Sequence, residues 1–119
     1  MPDPRKTLGA LGEDAAAALL KREGYALIAR NWTCPRGEID LIAAEGEVLC
    51  FVEVKTRTSD DVAPPEASVT RRKQAKLRTL AAEYLRRNRA GKARCRFDVV
   101  SVVQPVGGKA EVQLFRGAF

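Results

Sequence analysis

The sequence predicts an α/β fold: a mixed central sheet of about five strands flanked by two long helices. Two segments carry apolar residues at helical spacing. Five shorter ones read as strands, and the order is helix, three strands, helix, two strands. The middle strands are apolar on both sides, so each sheet face needs a cover, and only the two helices are long enough to give it. At 119 residues the chain supplies one hydrophobic core and not two, so residues 1–119 are expected to form a single domain.

Thr7 is placed to cap a first helix that runs to about Glu23, with Leu8, Leu11, Ala15, Ala18 and Leu19 at helical spacing and Gly24 as the stop. Tyr25 to Trp32 reads as a strand and Pro35-Arg36-Gly37 as a turn. Glu38 to Ala44 and Glu47 to Lys55 are two apolar runs joined through Glu45-Gly46, a short hairpin signal. Thr56 to Pro65 is polar and proline-rich, which predicts a loop. A second helix is expected from about Glu66 to Asn88, burying Ala75, Leu77, Leu80, Ala81, Tyr84 and Leu85. Phe97 to Val103 is a strand, Pro105 to Gly108 a turn, and Ala110 to Phe115 a last, peripheral strand.

Composition removes several chemistries. With no histidine, imidazole bases, histidine triads and most zinc sites are excluded. Cys34, Cys50 and Cys95 are odd in number and lack the Cys-x-x-Cys spacing, which argues against a zinc ribbon or a disulfide framework. The first ten residues have no apolar core of a signal peptide, and no apolar run spans a bilayer, so a cytoplasmic protein with no membrane partner is expected. Residues 71–96 hold 11 of the 21 basic residues and one of the 15 acidic ones. That segment is +10, while the remainder, with 10 basic and 14 acidic residues, is −4. One surface that attracts a polyanion and another region that gathers carboxylates follow from this asymmetry. A solvated cationic helix accounts for the basic run equally well.

The acidic residues that matter lie in GEIDLIAAEGEVLCFVEVK, Gly37 to Lys55. A hairpin closed by Glu45-Gly46 pairs Ala44 with Glu47. It sets Asp40 opposite Phe51 and Glu53 opposite Glu38, so that Asp40 and Glu53 are diagonal neighbours. Alternation then puts Glu38, Asp40 and Ile42 on one face with Phe51, Glu53 and Lys55, and leaves Ile39, Leu41, Ala43, Cys50, Val52 and Val54 as an apolar surface on the other. Two carboxylates on adjacent strands of a half-buried face repel, and such groups persist when paired or when they coordinate a metal. Hard oxygen ligands suit Mg²⁺ or Mn²⁺, which would activate water and stabilise charge on a phosphodiester. Lys55, two residues beyond Glu53, points to the same cleft. A strand whose polar face happens to carry Glu and Lys is the plain alternative.

Gly37-Glu38-Ile39-Asp40-Leu41-Ile42 and Phe51-Val52-Glu53-Val54-Lys55-Thr56-Arg57 resemble the signature motifs of the YraN-like family of uncharacterised bacterial proteins. That family belongs to the PD-(D/E)xK nuclease superfamily and is similar to archaeal Holliday-junction resolvases. The resemblance extends to Gly9, Gly12, Glu13 and Ala16, to Arg30-Asn31, and to Arg96-Phe97-Asp98-Val99-Val100. It implies a restriction-endonuclease-like core in which Asp40 and Glu53 bind metal, Lys55 is the catalytic lysine, and Glu13 is the helix glutamate brought to the metal. A favourable charge in the first helical turn is the other reading of Glu13. The proline of the superfamily name is absent, since Ile39 precedes Asp40. By the same resemblance a homodimer is expected.

The function these observations predict is a Mg²⁺- or Mn²⁺-dependent endonuclease, a resolvase-like phosphodiesterase acting on DNA and suited to branched substrates. Arg57, Arg71, Arg72, Lys73 and Lys76 are the candidate nucleic-acid contacts, with Lys73 and Gln74 also within reach of the site. A catalytically silent nucleic-acid-binding module is the alternative, and a protein adaptor with a cationic helix a third. Asp98 is expected to be a structural acid paired with Arg96 or a helix lysine, and Trp32 and Tyr84 to pack in the core or at its edge.

Overall fold

The computed structural model describes residues 7–58, 69–105 and 107–119. Helix α1 (Leu8–Arg22) is followed by strands β1 (Ala26–Cys34), β2 (Gly37–Glu45) and β3 (Val48–Arg57), helix α2 (Arg71–Arg87), and strands β4 (Arg94–Val103) and β5 (Glu111–Phe115). The strands form one sheet in the order β1-β2-β3-β4-β5. All neighbours are antiparallel except β3 and β4, whose parallel pairing is made possible by the crossover through α2. This is the expected α/β architecture, a five-stranded mixed sheet between two helices, and it is consistent with a restriction-endonuclease-like core.

Each helix covers one face. Ala16, Ala17 and Leu20 of α1 pack on Tyr25, Leu41, Ala43, Cys50, Val52, Val100 and Val102. Leu77, Leu80 and Ala81 of α2 pack on Cys34, Ile39, Ile42 and Phe51, with Tyr84, Leu85 and Phe97 around them. Trp32 and Phe51 both meet Tyr84 edge-on at 5.4 and 5.7 Å, so these aromatic rings are core. Thr7 caps α1 as expected, its hydroxyl accepting the Ala10 N–H at 3.1 Å.

Several boundaries differ from the sequence reading, β4 among them, which begins at Arg94 and not at Phe97, and three bear on the site. Helix α2 begins at Arg71 behind an N-cap at Thr70, whose hydroxyl accepts the Lys73 N–H, and not near Glu66; residues 66–68 lie outside the described ones. Threonine outcompetes the earlier start because its side chain satisfies a first-turn donor. β3 runs on through Thr56 and Arg57, held by β4 pairing with Val102 and Val103; the rest of the predicted loop, from residue 59, lies outside the described residues. The hairpin turns at Gly46-Glu47, since Glu45 pairs with Val48. Gly46 takes φ 59° while Glu47 does not have positive φ, the pattern of a type II′ turn, which needs glycine at its first position.

Gly12 fixes how closely α1 approaches the sheet. A Cβ there would fall on the Thr56 hydroxyl, with the Thr56 Cβ and Cγ2 at 2.9 Å. Gly12→Ala is therefore expected to destabilise the fold by about 1–3 kcal/mol through overpacking, measured by urea denaturation. Gly12→Ser should be worse; wild-type stability in the alanine variant would mean that α1 can lift without cost.

Candidate active site

The true hairpin register is two residues away from the one expected, because the turn lies one residue later along the chain. An even displacement keeps every residue on its face but changes its neighbours. Leu41 pairs with Val52, and one step further in that register Asp40 comes level with Glu53, a direct neighbour where a diagonal one was expected.

Asp40 also marks a break in the sheet. Its carboxylate accepts the Val54 N–H at 2.9 Å, so a side chain replaces a ladder bond where β2 and β3 part. On the opposite flank Asn31, between the pairs Arg30–Leu41 and Trp32–Ile39, has φ 51°. This left-handed residue interrupts the pairing of the edge strand without shifting its register. Alternation slips with it: Ile39 packs beneath α2 with Ile42 and Phe51, whereas Leu41 packs beneath α1. The expectation that Ile39 shares a face with Leu41 and Ala43 is thus corrected. Leu41, Ala43, Cys50 and Val52 do share one.

Two recesses flank Asp40. The first, about 240 Å³, lies at the start of α1 and is lined by Glu13, Asp40 and Lys55, with Leu8, Gly9, Val54 and Thr56. The second, about 170 Å³, lies against α2 and is lined by Glu38, Glu53, Lys73 and Lys76, with Leu77 and Leu80. Glu38 joins them, for one carboxylate oxygen each of Glu13, Glu38 and Asp40 lies within 4.8 Å of the others. Two ligands on opposite sides of one Mg²⁺ span about 4.2 Å, so a small inward movement would let these three share an ion. The donor set, all hard oxygen, fits Mg²⁺ or Mn²⁺. Glu53 stands beside this trio, its charge and hydrogen bond falling on Asp40.

The electrostatics record the crowding. Burial is the main force raising the Asp40 pKa, with Glu13 and Glu38 adding to it and the Val54 N–H and Lys55 opposing. Glu53 is pushed up to about 7, first by burial and then by Asp40, against the pull of Lys55 and Lys73. Lys73 is lowered, chiefly by contact with Lys55. Burial and mutual repulsion thus load two carboxylates in a way that a cation would relieve.

Of the expected site residues, the structure brings together Asp40, Glu53, Lys55 and Glu13. The first turn of α1 holds no acidic residue, so the helix-dipole reading of Glu13 does not apply; its charge meets Arg30 at 3.8 Å. Arg71, Arg72, Lys73 and Lys76 occupy the first two turns of α2 and are exposed. Arg57 ends β3 and lines a separate groove with Ser101, Glu111 and Gln113. Asp98 is fully buried beneath α1, paired with Arg96 at 2.8 Å, and so is structural. Glu38, which the sequence placed on the face of Asp40 without a role, is part of the oxygen cluster.

Relatives share this chain nearly end to end. A protein from Moorella thermoacetica is 49% identical over 117 residues, 97% of each chain. One from Pelotomaculum thermopropionicum is 41% identical over 120 residues, covering both chains fully, and one from Beutenbergia cavernae is 46% identical over 113 residues, 95% of this chain and 96% of that one. All three are described as UPF0102 proteins. The profile of Uncharacterised protein family UPF0102 matches residues 12–102, a span holding Glu13, Glu38, Asp40, Glu53, Lys55 and Lys73. The chain belongs to the UPF0102 family.

Proposed function

We propose that the protein is a metal-dependent phosphodiesterase of the PD-(D/E)xK type, an endonuclease acting on DNA. The observation that carries this reading is the convergence of the Glu13, Glu38 and Asp40 oxygens, with Glu53 against Asp40 and Lys55 lining the same recess. A divalent cation held there would supply the Lewis acid and lower the pKa of a water. Glu13, Glu38 and Asp40 are its holders. Glu53, at the edge of the trio, completes the set or takes the proton of the attacking water, for which its displaced pKa is suited. Lys55 orients that water or neutralises charge growing on the phosphodiester. Arg71, Arg72, Lys73 and Lys76, in the first two turns of α2, would draw the polyanion to this end of the sheet.

The test is incubation of the pure protein with branched and linear DNA and Mn²⁺, beside Asp40→Ala and Glu53→Ala. Cleavage by the wild type, lost in both variants, is the expected result, with DNA binding that weakens steeply as salt rises. Cleavage that survives both substitutions overturns the reading. Binding with no cleavage would establish a silent nucleic-acid-binding module in its place.

A further inference from the structure

We propose that Lys73 is a second working ammonium of this site, one that contacts the phosphodiester under attack, and does not belong with the outer cations of α2 that hold nucleic acid at a distance. The inference rests on the phosphodiesterase reading above and deepens it.

Helical geometry is the first support. The buried stripe of α2 is Leu77, Leu80 and Ala81, and Lys73 stands four residues before Leu77 and seven before Leu80. It therefore continues the core-facing stripe by one turn, past the end of the apolar floor and over the acidic recess. Arg72 lines only the outer groove, with Ala75 and Thr79, whereas Lys73 stands between that groove and the acidic recess and lines both. The first turn is also held in place. Val69 is only 4% exposed, the Thr70 hydroxyl accepts the Lys73 N–H at 3.3 Å, and the Gln74 side chain donates to the Val69 carbonyl at 3.1 Å.

Charge is the second. Lys73 lines the recess of Glu38 and Glu53, and its side chain reaches Lys55. Two ammoniums side by side are costly unless anions share them. Glu53 is one such anion. Four carboxylates, Glu13, Glu38, Asp40 and Glu53, outweigh Lys55 and a divalent cation together by one negative charge. A phosphodiester entering that site would meet net repulsion, and Lys73 removes it. Lys76 is less well placed for this, because its Cε lies over Gly37 at the start of β2.

The experiment compares Lys73→Ala, Lys73→Arg and Arg72→Ala in the full-length protein, by cleavage kinetics with Mn²⁺ and by Mn²⁺ titration calorimetry without DNA. Lys73→Ala is expected to lower kcat roughly 10- to 100-fold with little change in KM, as befits a contact strongest in the transition state, and Lys73→Arg to restore part of it. Without DNA, Lys73→Ala should bind Mn²⁺ several-fold more tightly than wild type, because a nearby like charge is gone. Arg72→Ala should raise KM and leave Mn²⁺ affinity alone. If Lys73→Ala instead raises KM at unchanged kcat, as Arg72→Ala does, the inference is wrong while the phosphodiesterase reading stands. A wild type that neither binds Mn²⁺ nor cleaves would remove both.

Discussion

Asp98→Ala is expected to destabilise the protein by about 3–5 kcal/mol, a large share of the whole stability of a domain of this size. Asp98 is fully buried in β4, and every oxygen is occupied. Oδ1 accepts from Arg96 Nε at 2.8 Å and from the Gly117 N–H at 2.8 Å; Oδ2 accepts from the Tyr25 hydroxyl at 2.7 Å and from an Arg96 terminal nitrogen at 3.0 Å. Arg96 also reaches Glu45 at 2.7 Å, and Glu45 binds Arg116. The network thereby ties the end of β2, the start of β4, the residue before β1 and the chain beyond β5. Burial alone would raise the Asp98 pKa, but Arg96, Gly117 and Tyr25 outweigh it and hold the carboxyl below its usual value. Its contribution is therefore present above about pH 4 and fades as pH falls further. Removing the carboxylate takes the acceptor from the Tyr25 hydroxyl and the Gly117 amide and leaves the Arg96 guanidinium with Glu45 as its one anion among the described residues. Urea denaturation of Asp98→Ala and Asp98→Asn at pH 7 checks this. Asparagine keeps the shape and should cost less; equal and small losses would show that water fills in for the acid.

This network was half legible in the sequence. An aspartate inside an apolar strand announces a pairing, and Arg96 two residues earlier is on the same face of β4. Tyr25 and Gly117, 73 and 19 residues away, could not be read from spacing. The candidate site divides the same way. Asp40, Glu53 and Lys55 were legible as neighbours because they occupy the same end of one hairpin, which a two-residue error in register does not change; the alternation that assigned their face holds for β3 and breaks at Asp40. Ile39 was misplaced because the ladder breaks at Asp40, level with the left-handed Asn31 of a third strand. No hydrophobic pattern within β2 encodes it. Lys73 was named both among the cations of the run and as within reach of the site; counting back from Leu80 and Leu77 favours the second.

Glu53→Gln is expected to stabilise the metal-free protein at pH 8 by up to about 3 kcal/mol and to do little at pH 4.5. In the folded chain Glu53 ionises at about 7, against 4.5 for an unperturbed glutamate. Between those values the folded state keeps a proton that the unfolded state has released, so stability falls as pH rises through the window and is level above it. At roughly 1.4 kcal/mol per tenfold, the full displacement sets the ceiling, and Glu53, only partly exposed to solvent, should come near it without reaching it. Glutamine carries no charge to desolvate and escapes the loss. A divalent cation reverses the sign for the wild type, because it binds the ionised carboxylates and competes with the proton; Mn²⁺ should raise the wild-type Tm more at pH 8 than at pH 6. The glutamine variant, already relieved, should gain less. Denaturation in EDTA across pH 4.5 to 8, repeated with Mn²⁺, reads all of this. The same strain that a glutamine removes is what makes the wild-type pocket ready for a cation: a variant stabilised at pH 8 yet still raised by Mn²⁺ as much as wild type would separate the two and place Glu53 outside the cation's reach, leaving Glu13, Glu38 and Asp40 to hold it alone.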